Sequence, residues 1–415
     1  MKVLQINSVC GIGSTGRFAT DLYSGLKANG QNCLIAYGRG KPRGIARQDT
    51  YRIGSSFEVA FHGAMARLDD RSGFHSTIAT KRLIKVINKY KPDVIHLHNL
   101  HGYFLDVRIL LNYLASVDVP VIWTFHDCWN FTGHCAYFDL ASCSEWLKHC
   151  EGCRSLRDYP ASFLRNCAVK NLKIKRQLIA RLGRVCVVSP SIWLAGIARQ
   201  TVFGRFEIEV IRNGIDLSVF KPTPNSLRER YGLDNRKVVL GVASRWDKRK
   251  GLEYLLDLAT QIPHDYSVVI IGIDTKQIRK LPANILGIRR TKNTAELAAW
   301  YSCADVFVNP TLEDNYPTTN LEALACGTPV VTFSSGGSGE AVAEGCGIIV
   351  ESRKVEDLLL AVKHIINSQT FIKSECLKAS QAFDIHRAVQ EYMRLYEKMM
   401  IFEPTGSEVR AVDAD

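Results

Sequence analysis

The sequence TLEDNYPTTNLEALACGTPVV, residues 311–331, decides the fold of this chain. Pro317 stands where a helix can begin, and Gly327 stands where it ends before the next strand. The first backbone N–H groups of such a helix are free to bind phosphate. Asp314 precedes the helix, and Glu322 follows eight residues later inside it. A phosphate site between two carboxylates that can hold sugar hydroxyls is chemistry suited to a nucleotide-sugar.

Short apolar runs alternate with helical patterns along the chain, and they fall into two series. Such runs are typical of parallel strands that helices cover on both faces. Two series therefore predict an α/β protein with two doubly wound, Rossmann-like domains. The predicted strands are 3–7, 33–37, 94–98, 121–124 and 185–188 in the first series, and 238–243, 267–273, 306–308, 330–333 and 347–350 in the second.

The length of 415 residues also favours two domains over one. Loop-like sequences at 212–216 and 221–225 indicate that the crossing between them lies nearby. The predicted divisions are a first domain at 1–208, a second domain at 209–380, a C-terminal helix at 381–402 that packs back on the first domain, and a polar, disordered tail at 403–415.

The spacing of Asp314 and Glu322, with Ala-Leu-Ala-Cys-Gly-Thr-Pro-Val-Val after it, resembles the E-x7-E signature of glycosyltransferase family 4. That family has the GT-B fold, in which two Rossmann-like domains face each other across a cleft, and it retains the anomeric configuration of the sugar. The Asp-Asn-Tyr-Pro variant resembles a subgroup of exopolysaccharide transferases, including those for colanic acid. The first acidic residue here is Asp rather than Glu.

The resemblance implies a role for each matched position. Asp314 is expected to act as a catalytic residue that holds the donor sugar and stabilises developing positive charge. Glu322 is expected to bind the ribose hydroxyls of the nucleotide. The backbone N–H groups of Asn315, Tyr316 and Thr318 are expected to bind the diphosphate.

A second motif, residues 243–251, follows the first strand of the second series. It resembles the Arg…Lys-Gly element of the family, and Arg245 and Lys250 match its spacing. Two fixed cations stabilise the negative charge that the leaving nucleoside diphosphate gains. They can replace a divalent metal, and the sequence has no Asp-x-Asp triplet, so we expect no cofactor for catalysis. Lys248 and Arg249 remain alternatives for the same contact.

His126 lies at the end of an apolar strand of the first domain, where open α/β sheets carry functional groups. Residues 124–127 resemble the Thr-x-His-Asp element of family 4, whose His faces the cleft near the donor sugar. We therefore expect His126 to hydrogen-bond a sugar hydroxyl or to orient the acceptor. A purely structural role is the alternative.

Residues 11–16 match the GxGxxG pattern after the first strand. In family 4 a Gly-rich loop at this place faces the cleft, so Gly13 and Gly16 are expected to allow close approach to the donor. The same pattern also occurs in nicotinamide enzymes. The second strand ends at Arg39 without an acidic residue for the ribose, so an NADP-dependent oxidoreductase is the rival interpretation.

A cysteine-rich insert follows His126, at residues 128–153. Four of its thiols have the spacing C-x7-C-x6-C-x2-C, and zinc prefers four such ligands in a closed structural site. Reduced, buried thiols and a disulfide are the alternatives. The predicted zinc ligands are Cys135, Cys143, Cys150 and Cys153.

The chain carries a formal net charge of +12, and no acidic residue lies between Tyr159 and Phe206. Cations and apolar residues alternate over 165–184, which indicates either peripheral contact with an anionic membrane or a solvated helix face. No nucleic-acid-binding motif accompanies the charge, so we expect no nucleic-acid partner. No apolar run approaches the length of a membrane span, and the N-terminus has the pattern of a strand. We therefore expect a cytoplasmic protein; peripheral association with the inner face of the membrane is the alternative.

These observations together predict a retaining glycosyltransferase that moves a sugar from a nucleoside-diphosphate donor to a glycan. The expected acceptor is a lipid-linked exopolysaccharide or cell-surface polysaccharide intermediate. Besides the oxidoreductase, a non-catalytic GT-B protein that only binds glycan is the remaining alternative. The base, the sugar and the linkage are not encoded in any motif recognised here.

Overall fold

The computed structural model describes residues 1–282, 284–368, 371 and 373–401. The strands are β1 Lys2–Cys10, β2 Asn32–Gly40, β3 Thr50–Arg52, β4 Val94–Leu97, β5 Val121–Thr124, β6 Val185–Ser189, β7 Glu207–Val210, β8 Lys237–Val242, β9 Tyr266–Ile271, β10 Ile285–Ile288, β11 Val306–Asn309, β12 Val330–Phe333 and β13 Gly347–Val350. The helices are α1 Gly13–Ala28, α2 Ser56–Asp69, α3 Thr77–Tyr90, α4 Val107–Leu114, α5 Ala168–Ala180, α6 Ile192–Arg199, α7 Leu227–Tyr231, α8 Leu252–Gln261, α9 Thr275–Ile278, α10 Thr294–Cys303, α11 Thr318–Ala325, α12 Val355–Asn367, α13 Lys373–Ser380 and α14 Ile385–Ile401.

The strands form two parallel sheets, with the orders β3-β2-β1-β4-β5-β6-β7 and β10-β9-β8-β11-β12-β13. The order reverses between β1 and β4 in the first sheet and between β8 and β11 in the second. Ligands of open α/β sheets bind beyond the carboxyl ends of the strands at such reversal points. The predicted fold class, two doubly wound α/β domains, is confirmed.

Three short strands at or near the sheet edges, β3, β7 and β10, were not predicted from the sequence. Central strands such as β4, β5 and β11 are buried along their whole length and read as apolar runs. The edge strands β3 (Thr-Tyr-Arg) and β7 (Glu-Ile-Glu-Val) are only partly buried, and they mix polar with apolar residues. The apolar-run criterion therefore finds the central strands and the apolar edge strand β13, but it misses β3 and β7, which mix polar with apolar residues.

Helix α14 packs against the first domain, although it follows the second domain in the chain. Its buried Tyr396 hydroxyl lies 2.6 Å from Nδ1 of His96, at β4, and its Tyr392 hydroxyl lies 2.9 Å from Oγ1 of Thr124, at β5. The ammonium of Lys398 lies 3.1 Å from Oε1 of Glu209, on β7. The predicted tail at 403–415 lies outside the described residues.

The helices in the described part of the chain are all too short or too polar to cross a bilayer. The largest apolar surfaces of α14 are already covered, because Val389, Tyr392 and Tyr396 are buried.

Candidate active site in the interdomain cleft

The loops at the carboxyl ends of the two sheets meet between the domains. The hydroxyl of Ser191, after β6, donates to Oδ1 of Asn315, after β11, at 2.5 Å. The carboxylate of Glu340 accepts from the backbone N–H groups of Ile192 and Trp193, both at 2.8 Å. Because Ile192 and Trp193 are the first residues of α6, the second domain supplies an acidic partner to a helix N-terminus of the first. These contacts fix the two sides of the cleft relative to each other.

Lys250 and Asp314 form the central ion pair of the site, with Nζ of Lys250 at 2.5 Å from Oδ2 of Asp314. The guanidinium of Arg249 lies 4.0 Å from the same oxygen. Burial disfavours the charged form of Asp314, but Lys250 and Arg249 outweigh it and hold the pKa of this carboxyl below its ordinary value. Asp314 is therefore ionised at neutral pH.

Gly251 explains how Lys250 comes so close to Asp314. The backbone of Gly251 has φ +71°, and a Cβ there would lie 2.0 Å from the carbonyl oxygen of Pro310. The backbone N–H of Leu312 donates to the carbonyl of Arg249 at 2.8 Å, which fastens the basic turn to the loop after β11. Only glycine permits this contact. In the Lys-Gly sequence, Gly251 is therefore required for packing and Lys250 for its charge.

A glycine pair after β12 also builds the site, and the sequence analysis did not single it out. Gly336 has φ +58°, and its Cβ would lie 2.1 Å from the carbonyl oxygen of Asp314, while that of Gly337 would lie 2.0 Å from the carbonyl oxygen of Asn315. The N–H of Gly337 donates to the carbonyl of Asp314 at 3.0 Å. The small-residue run 334–339 after an apolar strand was the signal that could have revealed it.

The start of α11 differs in detail from the prediction. The N–H of Asn315 donates to Oδ1 of Asp314 at 3.0 Å, so it already has an acceptor. The side chain of Asn315 contacts Ser191 of the other domain. Tyr316 is buried, and its hydroxyl has no hydrogen-bond partner among the residues that the structure describes. Thr318 and Thr319 open the helix, and their N–H groups have no intrahelical acceptor. The helix N-terminus next to Asp314 is therefore formed by these two residues.

Glu322 lies deep in the cleft, where it accepts from the hydroxyl of Tyr301 at 2.9 Å. Burial raises the pKa of Glu322 to about 7, which Arg17 and the Tyr301 and Thr318 hydroxyls partly oppose. Arg17 is the fifth residue of α1, in the other domain. Arg17 was not predicted as a site residue; its position four residues beyond Gly13 in the Gly-rich loop was the available signal.

His126 ends a chain of hydrogen bonds that fixes its tautomer. Nε2 of Gln5 donates to the carbonyl of Ala19 at 3.1 Å, so Oε1 of Gln5 accepts from Nε2 of His98 at 3.1 Å. Burial holds the pKa of His98 well below its ordinary value, so His98 is neutral and its Nδ1 accepts from Nε2 of His126 at 3.1 Å.

Burial also lowers the pKa of His126 to about 4, so this ring is neutral at pH 7. With its Nε2 proton donated to His98, its Nδ1 carries a lone pair. Within the described residues no hydrogen bond is formed to that atom. His126, half-buried, can therefore accept a hydrogen bond from a hydroxyl in the cleft.

The Gly-rich loop opens α1, whose N-terminus carries no side-chain cap. Gly13 has φ +64°, and a Cβ on Gly16 would lie 3.2 Å from the backbone nitrogen of Gly11, so both positions favour glycine. Arg39, the residue that could have received an NADP phosphate, lies beside Tyr159. Burial raises the pKa of Tyr159, and the charge of Arg39 partly opposes that rise. The loop fits a helix N-terminus open to the cleft.

The cations of the basic turn are arranged unequally. Arg245 is exposed, and no side-chain hydrogen bond or ion pair of it occurs in the described part of the chain. The guanidinium of Arg249 donates to the carbonyl of Glu313 at 2.7 Å and lies 4.5 Å from the ring centre of Tyr137, in the insert of the first domain. Arg249 thus links the two domains beside Asp314, which the sequence analysis did not foresee.

The cysteine-rich insert is held by aromatic and basic side chains. Trp146 packs on Phe138 with ring centres 5.0 Å apart, and the ammonium of Lys175 donates to the carbonyl of Trp129 at 2.5 Å. Burial raises the pKa of Cys153 to about 11. Across 1–282, 284–368, 371 and 373–401, no three His, Cys, Asp or Glu side chains are grouped to hold a metal ion. The zinc therefore stays a prediction from spacing.

The basic segment 165–184 contains α5, and its apolar side chains face the protein. Leu172, Leu178, Ile179 and Leu182 are buried in the core of the first domain. The apolar side chains that prompted the prediction of membrane contact are therefore buried, and membrane contact through 165–184 stays a prediction. Lys170 and Lys173 remain exposed.

Two family models match this chain, one over each domain. The model described as Glycosyltransferase Family 4 matches residues 15–219. The model described as Glycosyl transferases group 1 matches residues 236–368. The first match begins after β1 and extends beyond β7, the second begins just before β8 and extends beyond β13, and residues 220–235 lie between them.

A protein of Escherichia coli (strain K12), described provisionally as a colanic acid biosynthesis glycosyl transferase, is 25% identical over 96% of this chain and 100% of its own length. A D-inositol 3-phosphate glycosyltransferase of Arthrobacter sp. (strain FB24) is 32% identical over 36% of this chain and 39% of its own length.

Solved structures show the same fold. Sucrose-phosphate synthase from Thermosynechococcus elongatus superposes with a TM-score of 0.72 at 18% identity, over 96% of this chain and 99% of that one. Anabaena HepE in complex with UDP superposes with a TM-score of 0.68 at 17% identity, over 96% of this chain and 100% of that one. The predicted GT-B fold is confirmed, and the chain belongs to family 4 of the glycosyltransferases and is an enzyme of that class.

Proposed function

We propose that this enzyme retains the anomeric configuration while it transfers a sugar from a nucleoside diphosphate to a lipid-linked polysaccharide intermediate. The observation that carries the proposal is the ion pair of Lys250 and Asp314, 2.5 Å long, beside the open N-terminus of α11. It combines a cation for the diphosphate, a carboxylate for the sugar and helix N–H groups in one place.

In this proposal the diphosphate of the donor draws Lys250 away from Asp314 and lies against the N–H groups of Thr318 and Thr319. Arg245 reaches the diphosphate from the exposed side of the same turn. Asp314, which its cationic neighbours keep ionised, then faces the sugar as positive charge develops on it. Each charge that appears in the transition state meets a fixed charge of opposite sign.

The nucleoside occupies the region of Glu322, whose carboxylate accepts the two ribose hydroxyls. Arg17 and the loop of Gly13 and Gly16 approach the same nucleotide from the first domain. A helix N-terminus with no side-chain cap suits the second phosphate or the acceptor. The first domain, 1–208, would then carry the acceptor, and the second, 209–380, the donor.

His126 orients a hydroxyl through its free Nδ1. A neutral ring accepts a hydrogen bond from the hydroxyl without taking its proton, and it adds no positive charge beside the sugar on which positive charge develops. No carboxylate in the described chain is paired with His126 as an orienting partner, so a departing phosphate oxygen is the proposed base for the acceptor hydroxyl. The proposed roles need no metal for catalysis.

The donor class is tested by thermal stabilisation with UDP-, GDP- and ADP-sugars, because a ligand that binds only the folded chain raises its apparent stability. Complexes of Anabaena HepE with UDP and UDP-glucose favour a uridine donor. The Escherichia coli relative favours a polysaccharide acceptor. Proton NMR of the fresh product tests retention, and an inverted anomeric configuration would contradict the mechanism.

A further inference from the structure

The cysteine-rich insert of the first domain contacts the second domain through a tight turn, residues 138–143. The turn is closed by the N–H of Cys143, which donates to the carbonyl of Phe138 at 3.2 Å. Leu140 lies in this turn, and its side chain packs against the apolar core of the second domain. The insert therefore reaches across the cleft to the other domain.

Glu313, the residue before Asp314, is the polar partner of this turn. Its Oε1 accepts from the backbone N–H of Leu140, and the residue is only 5% exposed. Burial raises the pKa of Glu313 to about 7; the N–H of Leu140 and the charge of Arg249 oppose that rise, and Asp139 adds to it. Removing a carboxyl from water is unfavourable, so a buried carboxyl bonded across a domain boundary indicates a role beyond packing.

Tyr137 makes a second contact between the insert and the second domain. The centre of its ring lies 4.5 Å from the guanidinium of Arg249. That guanidinium donates to the carbonyl of Glu313 at 2.7 Å and lies 4.0 Å from Oδ2 of Asp314. The face of an aromatic ring attracts a guanidinium, which favours this one position of Arg249. Tyr137 makes no side-chain hydrogen bond within the described residues, so its ring is the group that makes the contact.

Asp314 lies between two residues that are each bonded to the first domain. Before it, the side chain of Glu313 bonds Leu140 of the insert. After it, the side chain of Asn315 accepts from the hydroxyl of Ser191 at 2.5 Å. The loop that carries the proposed catalytic carboxylate is therefore held by the first domain on both sides.

We propose that the cysteine-rich insert sets the position of Asp314, with Glu313 and Tyr137 as positioning residues for sugar transfer. The inference rests on the proposed function, in which Asp314 faces the donor sugar. A misplacement of about 1 Å can cost about a hundredfold in rate. A displaced Asp314 loses its effect on the transition state, whereas the proposed nucleotide contacts of Lys250 and Glu322 are retained. The value of kcat should therefore respond more than nucleotide affinity does.

The test compares paired variants of the full chain at each positioning residue. Glu313→Ala removes the acceptor for the N–H of Leu140, and Glu313→Gln keeps one, because an amide oxygen also accepts. Tyr137→Leu removes the aromatic face, and Tyr137→Phe keeps it. The Ala and Leu variants should each lose about tenfold or more in kcat, with the Kd for the nucleoside diphosphate within about threefold of wild type. The Gln and Phe variants should retain most of the kcat.

Two measurements follow these variants. Hydrolysis of UDP-, GDP- and ADP-glucose gives kcat, and calorimetry with the matching diphosphate gives Kd. Hydrogen exchange of residues 311–316 reports local opening of the Asp314 loop without any donor. Exchange there should be faster in Glu313→Ala and in Tyr137→Leu than in wild type, because each variant loses a contact that holds this loop.

Matched controls come from similar contacts inside the second domain. Glu296 on α10 accepts from the backbone N–H of Lys292 at 2.5 Å, so Glu296→Ala removes the same kind of hydrogen bond. The ring of Tyr231 on α7 lies 5.8 Å from the guanidinium of Arg230, so Tyr231→Leu removes the same kind of ring contact. Both controls should keep the wild-type kcat and the wild-type exchange at 311–316.

Unchanged exchange at 311–316 in Glu313→Ala and Tyr137→Leu would overturn the proposal, as would faster exchange with an unaltered kcat. Equal losses of kcat in Glu313→Gln and Tyr137→Phe would also overturn it, because the charge and the hydroxyl would then act directly rather than through position. Wild type that neither binds nor hydrolyses any of the three sugar nucleotides would contradict the proposed function instead. Exchange needs neither donor nor transfer, so the two failures can be told apart.

Discussion

Replacing Lys250 by Met tests the charge arrangement at the centre of the site. Met keeps the length of the side chain and removes its ammonium, which lies 2.5 Å from Asp314. Charge-assisted hydrogen bonds contribute about 1.5–3 kcal/mol, so the affinity for the nucleoside diphosphate should fall about 10- to 150-fold. Asp314, only 13% exposed, would also lose its nearest cation and repel the diphosphate.

The same substitution should lower the free energy of unfolding by about 1–3 kcal/mol. Loss of one partner of a fully buried pair costs about 3–5 kcal/mol, but Asp314 keeps Arg249 at 4.0 Å, which reduces the loss. Lys248→Met is the matched control, since Lys248 is an exposed cation of the same turn without a side-chain contact in the described chain. Isothermal titration calorimetry and urea unfolding measure the two quantities.

The double variant Lys250→Met/Asp314→Asn distinguishes a pair from two independent residues. Because Asn removes the unpaired negative charge, the double variant should bind the diphosphate more tightly than Lys250→Met alone. A coupling free energy of about 1 kcal/mol or more is expected for residues in direct contact. Effects that add within about 0.5 kcal/mol, together with normal affinity in Lys250→Met, would refute the reasoning.

Four further outcomes are expected. Donor affinity should rise from pH 6 to pH 8, because burial raises the pKa of Glu322 to about 7 and only the ionised carboxyl accepts both ribose hydroxyls; Glu322→Gln should abolish this dependence. In Asp314→Asn, kcat should fall much more than donor affinity; a kcat equal to that of wild type would mean that Asp314 only caps helix α11. Arg249→Ala should cost at least tenfold in kcat/KM, since this guanidinium joins the domains. In Gln5→Met, nitrogen-15 NMR should show that His126 is no longer confined to its Nε2–H tautomer.

The sequence predicted the centres of both sheets because buried parallel strands are apolar throughout their length. Residues 121–124 and 330–333 were predicted with the bounds that the structure has, and so was the apolar edge strand 347–350. The family resemblance at Asp314 and Glu322 predicted the GT-B fold and the class of enzyme. These features are local in the chain, so a pattern of residue types is enough to reveal them.

The partners of the predicted residues could not be read in the same way. Asn315 was expected to offer its N–H to the diphosphate, and it instead bonds Asp314 and reaches Ser191 of the other domain. Arg17, Tyr137 and Gly336 gave no motif of their own, because each acts through a residue that is distant in sequence. The apolar residues of α5 have the pattern of a membrane face, and only the structure shows that the core of the first domain covers them.

The sequence by itself determined two doubly wound domains, a glycosyltransferase signature and the residue types that hold a nucleotide-sugar. The tertiary structure decided which cation pairs with Asp314, which tautomer His126 adopts and which apolar surface remains exposed. The physical reason is that hydrophobic periodicity and helix punctuation are set by neighbours along the chain. Ion pairs, tautomers and exposed faces depend instead on which loops the two sheets bring together across the cleft.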